Sequence, residues 1–271
     1  MKGKVYIVGA GPGDPSLLTV RAAELLRTAD VIIYDRLVDP EVLKITRDGS
    51  RKVYAGKRTG EHWVQDKINA LMLTEARKGR AVLRLKGGDP MIFGRGGEEA
   101  EFLRRNRIDF EVVPGVTSAL AAPALAGIPL THRMLSSSLL IVTGHEASTG
   151  RKRGVNWKLT AGAADTLVIL MGARNIPEVA AELVSGGLTA RTPVAVIEWA
   201  ATKRQRTRLF TLGELATDAG EEIVPPSVIV VGRVASLARK LDWFRVDGRS
   251  TLKKSSRPGP AKADHRTTHS R

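Results

Sequence analysis

Short runs of β-forming residues alternate with helical patterns along the chain, and this alternation limits the fold more than any other feature. Apolar, largely β-branched runs lie at residues 4–8, 31–34, 81–85 and 110–113. The segments between them place apolar residues every three or four positions, which is the period of a helix with one buried face. This strand–helix–strand order predicts a mostly parallel, doubly wound sheet with helices on both faces.

A second α/β segment follows a break that is rich in glycine and proline at residues 126–133. Its strand patterns lie at 139–143, 166–170, 194–198 and 228–231. We therefore expect two α/β domains with mostly parallel sheets, an N-terminal domain over 1–133 and a C-terminal domain over 134–246. Residues 247–271 are rich in Ser, Thr, Pro, Lys and Arg, so they are predicted to form a disordered basic tail.

Composition excludes several classes of protein. The 271 residues include no cysteine, which rules out disulfides, thiolate metal sites and a cysteine nucleophile, and fits a reducing compartment. No apolar stretch of about 18 residues is present, so a cytoplasmic protein is expected. The net charge of +15 predicts an anionic partner. Seven Lys or Arg and one Asp give residues 249–271 a charge of +6, which leaves +9 for the rest of the chain.

Three glycine-rich loops follow predicted strand ends, at residues 9–15, 87–90 and 114–119. Because the carboxyl ends of parallel strands share one edge, we expect these loops to form a single ligand crevice. Asp35 ends the second predicted strand, and its spacing from the first loop resembles a dinucleotide site in which it would accept from a ribose hydroxyl. The third glycine of that pattern is missing, so ordinary glycine turns remain an alternative.

More specific motifs resemble the tetrapyrrole methylase superfamily. They are YDRLV at 34–38, AGKR at 55–58, RLKGGDPMIFGRGGEE at 84–99, VPGVTSA at 113–119, AGIPLTHR at 126–133 and TPVAVIE at 192–198. Within the superfamily, the chain is similar to the uroporphyrinogen-III C-methyltransferases over about residues 3–244. Trp199 stands where these relatives commonly have Asn.

The resemblance implies two α/β domains with a cleft between them for S-adenosylmethionine (SAM), and usually a homodimer without a metal. It also implies methylation of two ring carbons of uroporphyrinogen III to give precorrin-2, which feeds siroheme and cobalamin synthesis. Because the chain begins within the methylase motif, the single-function form of the enzyme is expected.

The family's functional residues carry over by motif. Asp35 matches the position assigned as proton acceptor, and Lys57 the position assigned as proton donor. The positions that match SAM contacts are Pro12, Gly87, Gly88, Asp89, Ile92, Thr117, Ser118, Met171 and Ala200. A substrate with eight carboxylates requires basic side chains around the cleft, because guanidinium groups bind carboxylates in pairs of hydrogen bonds. The candidates for this role are Arg36, Arg58, Arg95 and Arg133.

Three other functions remain open. A precorrin methylase that acts on another ring carbon has the same fold, although YDRLV and AGKR argue against it. A ribosomal-RNA 2′-O-methylase of the superfamily would suit the positive charge. The chain has only 4 Trp, 3 Tyr and 5 Phe for stacking on bases, so nucleic acid is ranked below an anionic tetrapyrrole. The third is a dinucleotide-binding protein that is not a methylase, based on the first glycine loop and Asp35.

Overall fold

The computed structural model describes residues 3–56, 65–144, 154–217 and 223–253. The strands are β1 (Lys4–Gly9), β2 (Val31–Tyr34), β3 (Arg51–Tyr54), β4 (Val82–Lys86), β5 (Asp109–Val113), β6 (Leu139–Thr143), β7 (Thr166–Leu170), β8 (Pro193–Glu198), β9 (Arg206–Thr211), β10 (Ser227–Val231), β11 (Arg245–Val246) and β12 (Arg249–Ser250). The helices are α1 (Val20–Leu26), α2 (Pro40–Leu43), α3 (Gln65–Arg77), α4 (Gly96–Arg105), α5 (Ser118–Leu125), α6 (Trp157–Thr160), α7 (Ile176–Ser185) and α8 (Leu212–Ala216). None of the described helices has the length and apolar character that crossing a membrane requires.

The first sheet has the order β3-β2-β4-β1-β5, and all four of its strand pairs are parallel. Alternate residues of β1 point to opposite faces, as the period of a strand requires. Ile7 packs with Met72 and Leu103 of α3 and α4, while Val8 packs with Leu26 of α1 on the other face. The predicted doubly wound layer is therefore confirmed, and β3 is an edge strand that the apolar pattern did not reveal.

The second sheet has the order β6-β7-β10-β8-β9 and is mixed. Its β6–β7 pair is parallel, and its other three pairs are antiparallel. In the two five-stranded sheets together, five of the eight pairings are parallel, so the two-sheet α/β class is confirmed. The antiparallel pairs of the second sheet were not predicted, because the apolar run of a buried strand does not encode its direction.

Helix α5 belongs to the core of the second sheet, although it lies before the predicted domain boundary. Ala119 and Ala122 of α5 are fully buried with Val168 of β7 and Val230 of β10. Small side chains on this helix let it pack close to the sheet. The division at residue 133 remains a prediction, and the second hydrophobic core includes a helix from the N-terminal side of it.

The prediction of a disordered tail from residue 247 onward is wrong for residues 247–253. Strands β11 and β12 form a hairpin through Asp247 and Gly248, which both have positive φ, the geometry that an Asp-Gly turn favours. The chain then runs beside β9, where Thr207 donates to the Thr251 carbonyl and accepts from the Lys253 amide, both at 2.9 Å. These bonds satisfy the backbone groups of Thr207 on the outer edge of β9. Residues 254–271 lie outside the described residues.

Candidate active site

The three glycine-rich loops meet at the carboxyl edge of the first sheet, as their positions after β1, β4 and β5 predicted. The Gly11 and Gly88 backbones exchange two hydrogen bonds, of 3.2 and 2.7 Å. A Cβ on Gly9 would lie 2.6 Å from the Gly115 Cα, and a Cβ on Gly115 would lie even closer to the Gly88 carbonyl oxygen. The loops can therefore cross only because these positions lack side chains.

We predict that Gly115→Ala destabilises the protein, because the new methyl group must displace backbone on two neighbouring loops. Overpacking of this kind costs about 1–3 kcal/mol of unfolding free energy. Urea denaturation followed by circular dichroism measures this cost. Gly97→Ala is the matched control, since a Cβ there meets nothing within 4 Å. Equal stability of the Gly115→Ala variant and the wild type would show that the loops do not pack as described.

A cleft opens beside this crossing, and residues from both sheets line it. One wall consists of the loop after β1, residues 36–40 after β2, and the loop after β4. The other wall consists of the segment where β8 ends and the segment where β10 begins. The predicted cofactor positions that line it are Pro12, Gly87, Gly88, Ser118 and Ala200. Trp199 and Thr202 also line it, and sequence reasoning did not assign either to the cofactor.

Other predicted cofactor positions lie around this cleft without lining it. Asp89 braces two of the loops, because its carboxylate accepts from the Met91 amide at 2.7 Å and from the Gly115 amide at 3.0 Å. Thr117 caps α5 by accepting from the Ala119 amide. Ile92 is 41% exposed on the loop after β4.

Met171 is 53% exposed and follows the end of β7 with a φ of 57°. The preceding residue, Leu170, pairs with Val228, which lines the cleft. Met171 therefore projects from the same sheet edge in a left-handed conformation that residues with a Cβ seldom adopt. Strained backbone of this kind is concentrated at functional sites.

Asp35 follows β2 and lies above a buried cluster of charged residues. Its Oδ2 is 3.6 Å from Arg84 Nη2, and its Oδ1 accepts from the Leu37 amide. The Arg84 and Lys86 side chains of β4 are 4% and 5% exposed, and both donate to Oε1 of Glu99, at 3.1 and 3.0 Å. Gln65 donates to the same oxygen at 2.9 Å. Asp35 is thus the half-buried member of a network of two cations and two carboxylates.

Burial and the neighbouring charges shift the pKa values of Lys86 and Glu99. Burial lowers the pKa of Lys86, and the adjacent Arg84 charge lowers it further, while Glu99 and Asp35 oppose both effects. Burial alone would raise the pKa of Glu99, but Arg84 and Lys86 together bring it below its ordinary value. Glu99 therefore remains ionised in the core, and its charge compensates the two cations beside Asp35.

The basic residues that were predicted to bind substrate have different surroundings. Arg36 is exposed and lines the cleft. Arg95 is the N-cap residue directly before α4 and forms an exposed ion pair with Glu98. Arg133 lies in an exposed turn between residues 132 and 136, near the start of β6, and does not line this cleft. Lys57 and Arg58 lie outside the described residues.

The buried members Arg84, Lys86 and Glu99 were not singled out from the sequence. A signal for them was present, because Arg84 and Lys86 occupy alternate positions of a strand that is otherwise apolar and fully buried. Two cations on one face of a central strand require a buried anion opposite them. The adjacent acids of the GRGGEE segment at 94–99 were the available partners.

Comparison with known proteins identifies the family. The profile of the Tetrapyrrole (Corrin/Porphyrin) Methylases matches residues 4–216. A uroporphyrinogen-III C-methyltransferase of Bacillus subtilis is 47% identical over 257 residues, which cover 93% of this chain and 97% of that protein. A siroheme synthase of Nitrosospira multiformis is 46% identical over 250 residues, which cover 92% of this chain but 52% of that protein. The chain thus spans about half the length of the siroheme synthases that it matches.

A solved structure has the same fold. The uroporphyrin-III C-methyl transferase from Thermus thermophilus, complexed with S-adenyl homocysteine, superposes with a TM-score of 0.74 at 43% identity. The superposition covers 86% of this chain and 93% of that one. Because the family profile matches most of the chain and these relatives align over nearly all of it, the chain belongs to the tetrapyrrole (corrin/porphyrin) methylases.

Proposed function

We propose that the chain is a SAM-dependent uroporphyrinogen-III C-methyltransferase that methylates two ring carbons to give precorrin-2, for siroheme or cobalamin synthesis. One observation carries the proposal. Five positions that the family motifs assign to the cofactor line a single cleft, and Asp35 directly precedes residues 36–40, which form part of its wall. The Bacillus subtilis relative, aligned over 97% of its length, supports the substrate assignment.

The cleft is suited to a nucleoside with a charged amino-acid arm. Backbone of Gly87 and Gly88 forms one side, and a Cβ on Gly87 would lie 2.7 Å from the Leu37 Cβ, so a side chain there would clash with the wall that residues 36–40 form. Ile197 and Val228 supply apolar surface opposite. The Ser118 hydroxyl and the backbone groups of the glycine loops supply polar contacts. Few polar groups in an otherwise apolar cleft are typical of sites for small molecules.

SAM, when bound, supplies an electrophilic methyl group on a sulfonium. The chain must hold a nucleophilic ring carbon of the reduced tetrapyrrole in line with that group, and alignment alone lowers a barrier by about 7–11 kcal/mol. Asp35 then stabilises the positive charge that develops on the pyrrole nitrogen and accepts a proton as the ring recovers its double bonds. Arg84, with its Nη2 3.6 Å from Asp35 Oδ2, orients the carboxylate for this role.

We also propose roles for the remaining predicted residues. Asp89 and Thr117 fix the loops that hold the cofactor, while Ile92 and Met171 contact cofactor or macrocycle from the rim of the cleft. Arg36 binds substrate carboxylates directly, and Arg95 binds them when it releases Glu98. Lys57 acts as proton donor on the segment after β3, with Arg58 beside it. Arg133 would reach substrate only from outside the cofactor cleft, which it does not line.

A homodimer in the cytoplasm is the assembly that we propose. Leu120 on α5 and Trp243, whose indole nitrogen donates to the Ala124 carbonyl of the same helix, are 46% and 59% exposed and would be covered in a dimer. The lack of cysteine fits a reducing compartment. Light scattering during gel filtration tests the assembly, and a mass near the 29.2 kDa of one chain would contradict it.

The activity is tested by incubating the purified chain with uroporphyrinogen III and methyl-labelled SAM. We expect a dimethylated tetrapyrrole, identified by mass and by its chromophore. Ribosomal RNA, and a monomethylated or later precorrin, are incubated in separate reactions as alternative substrates. No transfer to uroporphyrinogen III would refute the proposal, and labelled RNA would instead support the 2′-O-methylase alternative.

A further inference from the structure

A second concave site lies between residues 203–206, at the β8–β9 turn, and the hairpin of β11 and β12, and it shares no lining residue with the cofactor cleft. The hairpin of β11 and β12, which packs beside β9, forms one wall of an open cavity of about 620 Å³. Its cationic lining residues are Lys203, Arg204, Arg206, Arg249 and Lys253. Among the described residues that line it, only Asp247 is acidic. The cavity is therefore strongly positive, and none of the roles assigned above uses it.

Most of this positive charge is not compensated by neighbouring carboxylates. Arg206 is paired, because its Nε lies 2.6 Å from Oε2 of the buried Glu198. In the described part of the chain, Arg204, Arg249 and Lys253 form no salt bridge with a carboxylate. Lys203 interacts at longer range with Glu41, whose pKa is lowered by a hydrogen bond from Lys44 and, to a smaller extent, by the Lys203 charge. Like charges gathered in a concavity repel one another, and a bound anion relieves that repulsion.

The walls of the cavity are held in place by buried polar residues. Gln205 and Thr251 are 5% and 4% exposed. The Gln205 side chain accepts from the Ala201 amide at 2.8 Å and donates to the Thr251 hydroxyl at 3.4 Å, while the Thr251 carbonyl accepts from β9. These bonds fix the hairpin against the turn. The backbone that carries the cationic residues is therefore held in place before a ligand enters the cavity, which reduces the entropy cost of binding.

We propose that this cavity is a binding site for a small multivalent oxyanion that carries phosphate or carboxylate groups. Several closely spaced cations recognise such a ligand by charge-assisted hydrogen bonds. The volume suits a small molecule. No aromatic side chain is among the described lining residues, whereas surfaces for single-stranded nucleic acid use aromatic rings to stack bases. The inference does not depend on the proposed methyltransferase activity.

The site also has a physical connection to the cofactor cleft. Arg204 lies with its guanidinium carbon 3.6 Å from the centre of the Trp199 ring, and Trp199 lines the cleft. An anion that draws Arg204 toward the cavity would therefore change the surroundings of Trp199. This contact provides a fluorescence readout for occupation of the cavity that does not require turnover.

Titration calorimetry with inorganic tripolyphosphate, and separately with citrate, tests the proposal on the full chain at low salt. We expect saturable binding of at least one of the two, and their relative affinities distinguish phosphate from carboxylate recognition. The double variant Arg249→Gln/Lys253→Gln should bind at least about tenfold more weakly, which corresponds to about 1.4 kcal/mol, because it removes two of the cavity's positive charges. Arg204→Gln is the second test variant, and it should weaken binding without disturbing the hairpin.

Arg239→Gln/Lys240→Gln is the matched control, because it removes two exposed charges outside the cavity. It should bind like the wild type, and circular dichroism should show that all variants are folded. The proposal is overturned if neither anion binds at millimolar concentration, or if the control pair loses as much affinity as the cavity variants. Tighter binding of a single-stranded RNA that is lost in the cavity variants would also overturn it, in favour of a nucleic-acid surface.

Discussion

Replacing Asp35 with asparagine is expected to reduce methyl transfer about 10²–10⁴-fold while changing cofactor affinity by less than about twofold. The amide keeps the shape of the side chain and can still accept from the Leu37 amide. It cannot accept a proton, and it does not carry the negative charge that stabilises a cationic pyrrole. The loss therefore falls on the chemical step, and the glycine loops that form the cofactor cleft stay as they are.

The measurement is single-turnover methyl transfer from labelled SAM, with S-adenosylhomocysteine binding followed in parallel by calorimetry. Asp48→Asn is the control, because Asp48 is exposed in the turn after α2 and the substitution removes the same charge. Near-normal turnover in the Asp35→Asn variant would refute the proposed role. If the variant lost as much cofactor affinity as methyl-transfer activity, Asp35 would instead be needed for the structure of the cofactor cleft.

The sequence predicted the part of the site that depends on strand order. Once the apolar runs before Gly9, Gly87 and Pro114 are taken as parallel strands, their following loops must share one edge, and the structure shows them in contact. The motif positions in these loops, such as Gly88 and Ser118, consequently line the cleft. This inference needs only strand direction and the rule that ligands bind at carboxyl ends.

What the sequence did not predict depends on contacts between distant segments. Glu99 is 13 residues from Lys86. The two cations of β4 indicated a buried anion, but which acid of α4 meets them depends on how that helix lies on the sheet. The Asp247–Gly248 turn was a hairpin signal, but the residues that follow it are mostly polar, so composition favoured a disordered tail. The pairing of that hairpin with Thr207 satisfies a sheet edge that only the three-dimensional arrangement exposes.

The second large effect is expected for Glu99→Gln, which should lower the unfolding free energy by about 3–5 kcal/mol. Glu99 is fully buried and accepts from Arg84, Lys86 and Gln65 through one oxygen. The amide cannot neutralise two cations that have almost no access to water. Leaving a buried charge without its counter-charge lowers the unfolding free energy far more than losing an ion pair on the surface does.

Glu98→Gln provides a matched control at the adjacent position. Its side chain is 58% exposed and pairs with Arg95 on the surface, so the same substitution should cost no more than about 1 kcal/mol. Urea denaturation of both variants gives the two values under one condition. A large difference between them isolates the effect of burial from the effect of removing a carboxylate from α4.

Combining Glu99→Gln with Lys86→Met tests whether the cost arises from uncompensated charge. If it does, the double variant should recover part of the stability, with a coupling energy of about 0.5–3 kcal/mol between the two positions. Arg84 would then be the remaining buried cation, and Asp35 at 3.6 Å its remaining counter-ion. Additive losses in the double variant would mean that Glu99 stabilises the helix by packing, and the charge balance beneath Asp35 would have to be explained by other groups.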